Sequence, residues 1–275
     1  EFASGFRPFG ASVTIIEALP RLVPAEEESI SKALERAFRK RGIVSRTNAR
    51  FASVAQDDAS VTVSLEDGST LSADLLLVAV GREPVSDGMG FQEAGVHTDR
   101  GFVPTDERLR TNFPGVYAVG DLVPGLQLAH RGFAHGVFVA EDIASLNPAP
   151  VLDRNIPKVT YCDPEIASVG LTEAAARAEH GEVRAYEYNL GGNGKSQILG
   201  TSGFVSVVRV VDGPVVGIHM IGARMGEQIG EAQLVVGWDA MPEDVAPLVH
   251  AHPTQNEALG EAHLALAGKP LHAHA

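Results

Sequence analysis

His252 and Glu257, five positions apart in His252-Pro253-Thr254-Gln255-Asn256-Glu257, are the residues whose types and spacing could do chemistry. An imidazole takes or releases a proton near neutral pH because its ordinary pKa is ~6.5, and a carboxylate on one ring nitrogen selects the tautomer and favours the charged form. Such a pair can serve as a general acid and base. A second use of the same residues stays open. Thr254 followed three positions later by Glu257, ahead of Ala258, Leu259, Ala262 and Leu264, has the pattern of a capping box that opens a helix, and on spacing alone this is the commoner arrangement.

Two further carboxylates stand where α/β sheets bind ligands. Glu17 ends the β-branched run Thr14-Ile-Ile, a position from which a carboxylate accepts hydrogen bonds from adenosine ribose hydroxyls and repels a 2′-phosphate. Asp121 closes Val116-Tyr-Ala-Val-Gly-Asp121 ahead of Leu128-Ala-His130, where a helix start would favour an anion; a structural turn aspartate explains it equally well. Gly191-Gly-Asn-Gly-Lys195 lacks the spacing of a phosphate loop and is expected to be a plain loop. Gly222, Gly226 and Gly230 recur at helical spacing and suggest a close helix contact. No HExxH pattern supports a metal site.

The elements that must position these groups follow from periodicity. Strands are expected at 11–16, 49–54, 61–65, 74–80 and 116–121, and helices at 26–41 and 130–145. Leu75 to Val80 is apolar on both faces, as a central strand would be. Asn147-Pro148-Ala149-Pro150 reads as a linker. Beyond it strands are expected at 158–161, 184–189, 203–211 and 215–222, and helices at 172–179, 224–238 and 254–267.

The 275 residues are 44% apolar and 21% charged, which is a globular composition with no run long enough to span a bilayer. With 22 basic and 35 acidic residues the net charge is −13, which argues against a sequence-independent grip on nucleic acid. Cys162 is the one cysteine, so a disulfide within the chain and a multi-thiolate metal site are excluded, and a buried inert thiol is expected.

Taken together, Thr14-Ile-Ile-Glu17, Val78-Ala-Val-Gly-Arg82, Leu109-Arg-Thr-Asn112, Val116-Tyr-Ala-Val-Gly-Asp121, Leu128-Ala-His130, Asp163-Pro-Glu-Ile-Ala-Ser-Val-Gly-Leu-Thr172 and His250-Ala-His-Pro-Thr-Gln-Asn-Glu257 resemble the pyridine nucleotide-disulfide oxidoreductases, most closely the members that oxidise dihydrolipoamide. Each motif is loose, but all seven occur in family order. The resemblance implies an α/β plus α+β fold: the remainder of an NAD-binding domain over 1–82, the C-terminal part of an FAD-binding and central domain over 83–150, and an α+β dimerisation domain over 151–275. It implies that Glu17, Phe51, Gly81 and Arg82 bind NAD, that Gly120, Asp121, Leu128, Ala129 and His130 bind FAD, and that His252, oriented by Glu257, is the proton acceptor for a dithiol. It further implies a homodimer in which this pair serves the other subunit, and an acyltransferase core of a 2-oxo acid dehydrogenase complex as a partner.

The chain also departs from the family pattern. Glu1-Phe-Ala-Ser matches residues just after the family's NAD glycine fingerprint, so the first strand of that domain, nearly all of the FAD domain and the redox cysteine pair are expected to lie outside these residues. The expectation is therefore the C-terminal part of a cytoplasmic flavoenzyme, inactive by itself and binding FAD and NAD incompletely, with any targeting signal in the missing part. The alternatives are a truncated, catalytically silent dimerisation or interaction protein, or a flavin disulfide reductase of glutathione- or mercuric-reductase type. Glu17 disfavours an NADPH enzyme, and the lack of a C-terminal cysteine pair disfavours mercuric reductase.

Overall fold

The computed structural model describes residues 1–272. Two compact units result, one built from 1–77 together with the chain from 157 onward, the other from 78–156. The elements are α1 (Phe2–Phe6), β1 (Thr14–Ile16), α2 (Glu28–Lys40), β2 (Val44–Arg46), β3 (Phe51–Gln56), β4 (Val61–Leu65), β5 (Thr70–Ala73), α3 (Ala129–Ile143), β6 (Lys158–Thr160), β7 (Glu165–Gly170), α4 (Glu173–His180), β8 (Val183–Asn189), α5 (Gly194–Leu199), β9 (Phe204–Val210), β10 (Val215–Gly222), α6 (Met225–Gly237), α7 (Pro242–Val245) and α8 (Glu257–Leu266).

In the first unit β1 and β2 pair in parallel and β3-β4-β5 form an antiparallel meander. Helix α2 buries Ile30, Leu34 and Phe38, four residues apart on one stripe, and carries Glu28 in its first turn and Arg39 and Lys40 in its last, matching the helix dipole. Gly42, at φ +75°, supplies the left-handed residue just past its end. A five-stranded antiparallel sheet of order β6-β7-β10-β9-β8 fills the rest of the unit. Ala167, Val205, Val207, Ile218 and Met220 pack on one face against Met225, Ala232, Val235 and Leu259 of α6 and α8. Ile166, Phe204 and Ile221, the alternate residues, pack on the other face against α2. Coverage on both faces explains why β9 and β10 are buried along nearly their whole length rather than alternating.

Several expectations are corrected. Residues 74–80 form no strand, and Leu75, Leu77, Val78 and Val80 are exposed. A strand that is apolar on both faces needs hydrogen-bonded neighbours on both sides, and none of the described strands pairs with this one. The expected strand at 116–121 is reduced to a single bridge between Arg110 and Tyr117, because Gly120 at φ +69° turns the chain into a 3-10 turn over Gly120–Leu122. The supposed loop at 191–195 leads into α5, whose first turn is capped by the Asn193 Oδ1 that accepts from the Ser196 N–H at 2.9 Å. That cap, with Gly200 as the stop, overrides the strand character of Ile198, and the strand begins at Phe204. Of the three spaced glycines, Gly222 ends β10, Gly226 lies against Val159 of the sheet, and Gly230 has open space around it. Strand β7 in the sheet interior had no alternation in sequence to announce it.

The second unit carries α3 and irregular chain around a core of Val96, Val103, Leu109, Ala118, Val123 and Phe138. None of the described helices is long and apolar enough to cross a membrane.

Candidate functional site

His252 sits on the connection between α7 and α8, and the His252-Pro253 bond that follows it is cis. Its Nδ1 lies 2.8 Å from Glu257 Oε1, and its side chain is 76% exposed, so Nε2 is the atom available to an outside group. The other Glu257 oxygen accepts from the Thr254 N–H at 2.8 Å. One carboxylate thus holds the ring and the turn at once. The capping box is only half formed: Thr254 Oγ1 donates to Ala251 O at 2.7 Å instead of accepting, and α8 starts at Glu257 rather than Thr254. Partial burial pushes the Glu257 carboxyl up, but the Thr254 N–H, the His252 ring and the charge of His250 together hold it below its ordinary range.

A second imidazole–carboxylate pair lies alongside. His250 Nε2 is 2.8 Å from Glu231 Oε1 of α6, and Asn256 Nδ2 donates to the other Glu231 oxygen. The Glu231 bond raises the His250 pKa against the opposing effect of burial. His250 lies over Gly260, where a Cβ would come within 2.6 Å of its Nδ1, so the bare α-carbon makes room for the ring. Next along α8, His263 is fully buried, which lowers its pKa, and its Nδ1 is 2.7 Å from Leu259 O.

Glu17, also in the first unit, follows β1 with its carboxylate accepting from the Leu19 N–H at 2.8 Å. Its carbonyl accepts from the Ala49 N–H, which brings the start of β3 at Phe51 close behind it; Phe51 is exposed. The Glu17 side chain is partly exposed.

In the second unit Gly81 and Arg82 precede an exposed stretch, and Arg82 Nη2 lies 3.1 Å from Asp121 Oδ2. Asp121 stands in the 3-10 turn, its side chain 41% exposed. The Gly120 N–H donates to His135 Nδ1 at 3.2 Å, so that nitrogen carries no proton, in keeping with a His135 pKa lowered by burial and by Arg131. Arg131, 4% exposed, pairs with Asp153 at 2.7 Å and donates to Pro124 O at 2.8 Å, bracing the turn from below. The start of α3 after Leu128, at Ala129 and His130, has no acidic residue in its first turn and no side-chain cap, which suits a bound anion.

The Pyridine nucleotide-disulphide oxidoreductase model matches residues 1–136, and that family's dimerisation-domain model matches residues 156–263. The chain belongs to this family. Among curated relatives, dihydrolipoyl dehydrogenase of Bacillus subtilis is 38% identical over 99% of this chain and 59% of its own length. That of Chlorobaculum tepidum is 40% identical over 95% of this chain and 57% of its own length. The chain therefore spans somewhat more than half of the relatives that it matches. Among solved structures, LpdA of Mycobacterium tuberculosis superposes with a TM-score of 0.90 at 25% identity, over 97% of this chain and 59% of that one. The flavoprotein disulfide reductase RclA of Escherichia coli shares the fold, with a TM-score of 0.86 at 24% identity over 95% of this chain and 61% of that one.

The oxidoreductase fold brings some sequence candidates together and leaves others in separate units. His252 with Glu257, Glu17 with the strand of Phe51, and Arg82 with Asp121 are close pairs; the first two pairs belong to one unit and the third to the other. Glu231, Asn256, Arg131, His135 and Asp153 were not singled out from sequence. Of these only Asn256 carried a signal, its place inside the histidine motif. Cys162 is buried, its thiol pushed up to about 11 by burial, with Sγ 3.1 Å from Pro164 O. It is no thiolate at neutral pH.

Proposed function

We propose that this chain is the C-terminal part of a flavin-dependent dihydrolipoamide dehydrogenase, and that His252 is its proton acceptor. The single observation that carries the reading is the 2.8 Å Nδ1–Oε1 contact between an exposed imidazole and a carboxylate that is itself held by a backbone N–H. With Nδ1 bonded to Glu257, the lone pair of Nε2 faces outward and takes the proton of a dithiol substrate, because the thiolate is the nucleophilic form. The imidazolium that results lies against an ionised carboxylate, which stabilises it.

When bound, FAD supplies electron acceptance and NAD⁺ the final acceptor. Asp121 and the start of α3 hold the flavin nucleotide in this reading, with Gly120, Leu128 and His130 shaping its turn. Glu17 takes the NAD ribose hydroxyls and excludes a 2′-phosphate, Phe51 borders the adenine, and Gly81 with Arg82 passes over the dinucleotide. Residues 1–82, 83–150 and 151–275 are then the NAD, FAD and interface parts. Two copies associate through the interface part, so that His252 of one serves the site of the other, and a dithiol on an acyltransferase core is the substrate. With one buried cysteine, the 275 residues lack a redox pair and are inactive alone, and they bind FAD and NAD only incompletely.

The test is His252→Gln in the full-length protein. Dithiol turnover falls by roughly 10²–10⁴-fold, the range of a lost general base, while the visible flavin spectrum is unchanged. Retained turnover refutes the role.

A further inference from the structure

Three consecutive residues of the His252 loop are each tied to a different element. Thr254 O accepts from Asn193 Nδ2 at 3.0 Å, Gln255 Nε2 donates to Ala223 O at 3.0 Å, and Asn256 bonds Glu231 of α6. The tie between them and α5 runs through the interior: Ser196 Oγ donates to Gln255 Oε1 at 2.6 Å, with Ser196 fully buried and Gln255 5% exposed. Asn193, 3% exposed, caps α5 with one side-chain atom and holds the loop with the other. The first residue of α5, Gly194, faces His252, and a Cβ there would lie 3.7 Å from the ring's Cε1.

A buried serine and glutamine are an odd choice for stability, since replacing both partners of such a bond by apolar groups of similar shape is close to neutral. What the bond adds is direction. Apolar contact is non-directional, whereas this bond fixes the height and rotation of the backbone two residues before Glu257. We propose that Ser196 and Gln255 are positioning residues for His252. Neither touches the imidazole; together they dock the loop on α5 so that Nδ1 meets Glu257 and Nε2 faces outward. The inference rests on the reading of His252 as the proton acceptor, and it makes α5 a functional element.

The experiment reads the imidazole directly. In the 275-residue chain labelled with ¹⁵N, ring nitrogen shifts report which nitrogen of neutral His252 carries the proton, and the Glu257 bond holds it on Nδ1. Ser196→Ala, and separately the double variant Ser196→Ala with Gln255→Leu, are compared with the parent for this tautomer ratio and for melting temperature. The expected result is a fall of roughly tenfold in the Nδ1–H preference in both variants, the weight of one charge-assisted bond, with the melting temperature of the double variant close to the parent's. An unchanged tautomer ratio in either folded variant overturns the proposal. Should the single variant fail to fold, the double variant decides on the same reading. Because the readout involves no turnover, its failure is distinct from retained turnover in His252→Gln, which would remove the proton-acceptor role and leave the docking intact.

Discussion

Glu26→Gln is expected to flatten the acid limb of the chain's stability. Glu26 precedes α2 and is 8% exposed; Lys158 Nζ lies 3.3 Å from its Oε1, and the fully buried His219 has Nδ1 4.0 Å from its Oε2. Burial pushes its carboxyl up, but His219, Lys158 and Ser168 outweigh that and hold it at about 2 against an ordinary 4.5. A carboxyl whose folded value is depressed contributes stability above its unfolded value, and that contribution is lost as the pH falls toward the folded value. The difference between 4.5 and about 2, at ~1.4 kcal/mol per pH unit, amounts to about 3 kcal/mol at pH 7. This is a ceiling, because 4.0 Å to His219 is longer than a hydrogen bond. The assay is denaturant unfolding followed by circular dichroism at pH 7, 5 and 3, for parent and variant. The parent is the more stable at pH 7, and the gap narrows by about 2 kcal/mol between pH 7 and pH 3. A gap that stays constant over that range refutes the reasoning, since loss of the carboxylate's charge would then not be its source.

Gly260→Ala removes a helix-interior glycine, which by propensity alone favours the variant by ~1 kcal/mol. The added Cβ falls 2.6 Å from His250 Nδ1, so a net lowering of melting temperature is expected, and a rise would show that the His250 position carries no stability. Arg131→Met leaves the Asp153 carboxylate and the Pro124 carbonyl without their buried partner. A loss of about 1–3 kcal/mol in the unit that contains them is expected from amide hydrogen exchange, because Asp153 is 40% exposed and water takes part of the lost partner's place. Cys162 stays unreactive toward an aromatic disulfide reagent at pH 8 and reacts fully once the chain is unfolded, because burial holds its thiol at about 11. Rapid labelling of the native chain would contradict this.

The legible parts of the fold are those whose physics is local. The stripe of Ile30, Leu34 and Phe38 and the alternation of Val61, Val63 and Leu65 each bury their face within a few residues. The contact between His252 and Glu257 was legible for the same reason, being five residues long. Residues 74–80 and 116–121 were misread because a strand interior is a property of its neighbours, not of its own apolar content. The capping box at Thr254 was only half legible, because α8 begins at Glu257 rather than at Thr254 and the Thr254 hydroxyl bonds back to Ala251 O. The partners Glu231 and His250, 19 apart in sequence, and Ser196 and Gln255, 59 apart, left no mark that spacing could detect.

Sequence by itself determined the chemical possibilities of this chain: an imidazole and a carboxylate within reach of each other, the acidic residues Glu17 and Asp121, one thiol, and seven motifs in family order. These follow from residue type and short-range geometry. Tertiary structure alone decided which of those groups are held and by what. The sheet β6-β7-β10-β9-β8 and its helices carry α5, Ala223 and Glu231 to the loop of His252, so that the loop bearing a residue exposed to outside groups is anchored from three sides, by one buried and two part-buried hydrogen bonds. The physical reason is that a buried polar atom must find a partner, and only the folded chain determines which distant residue stands within 3 Å of it.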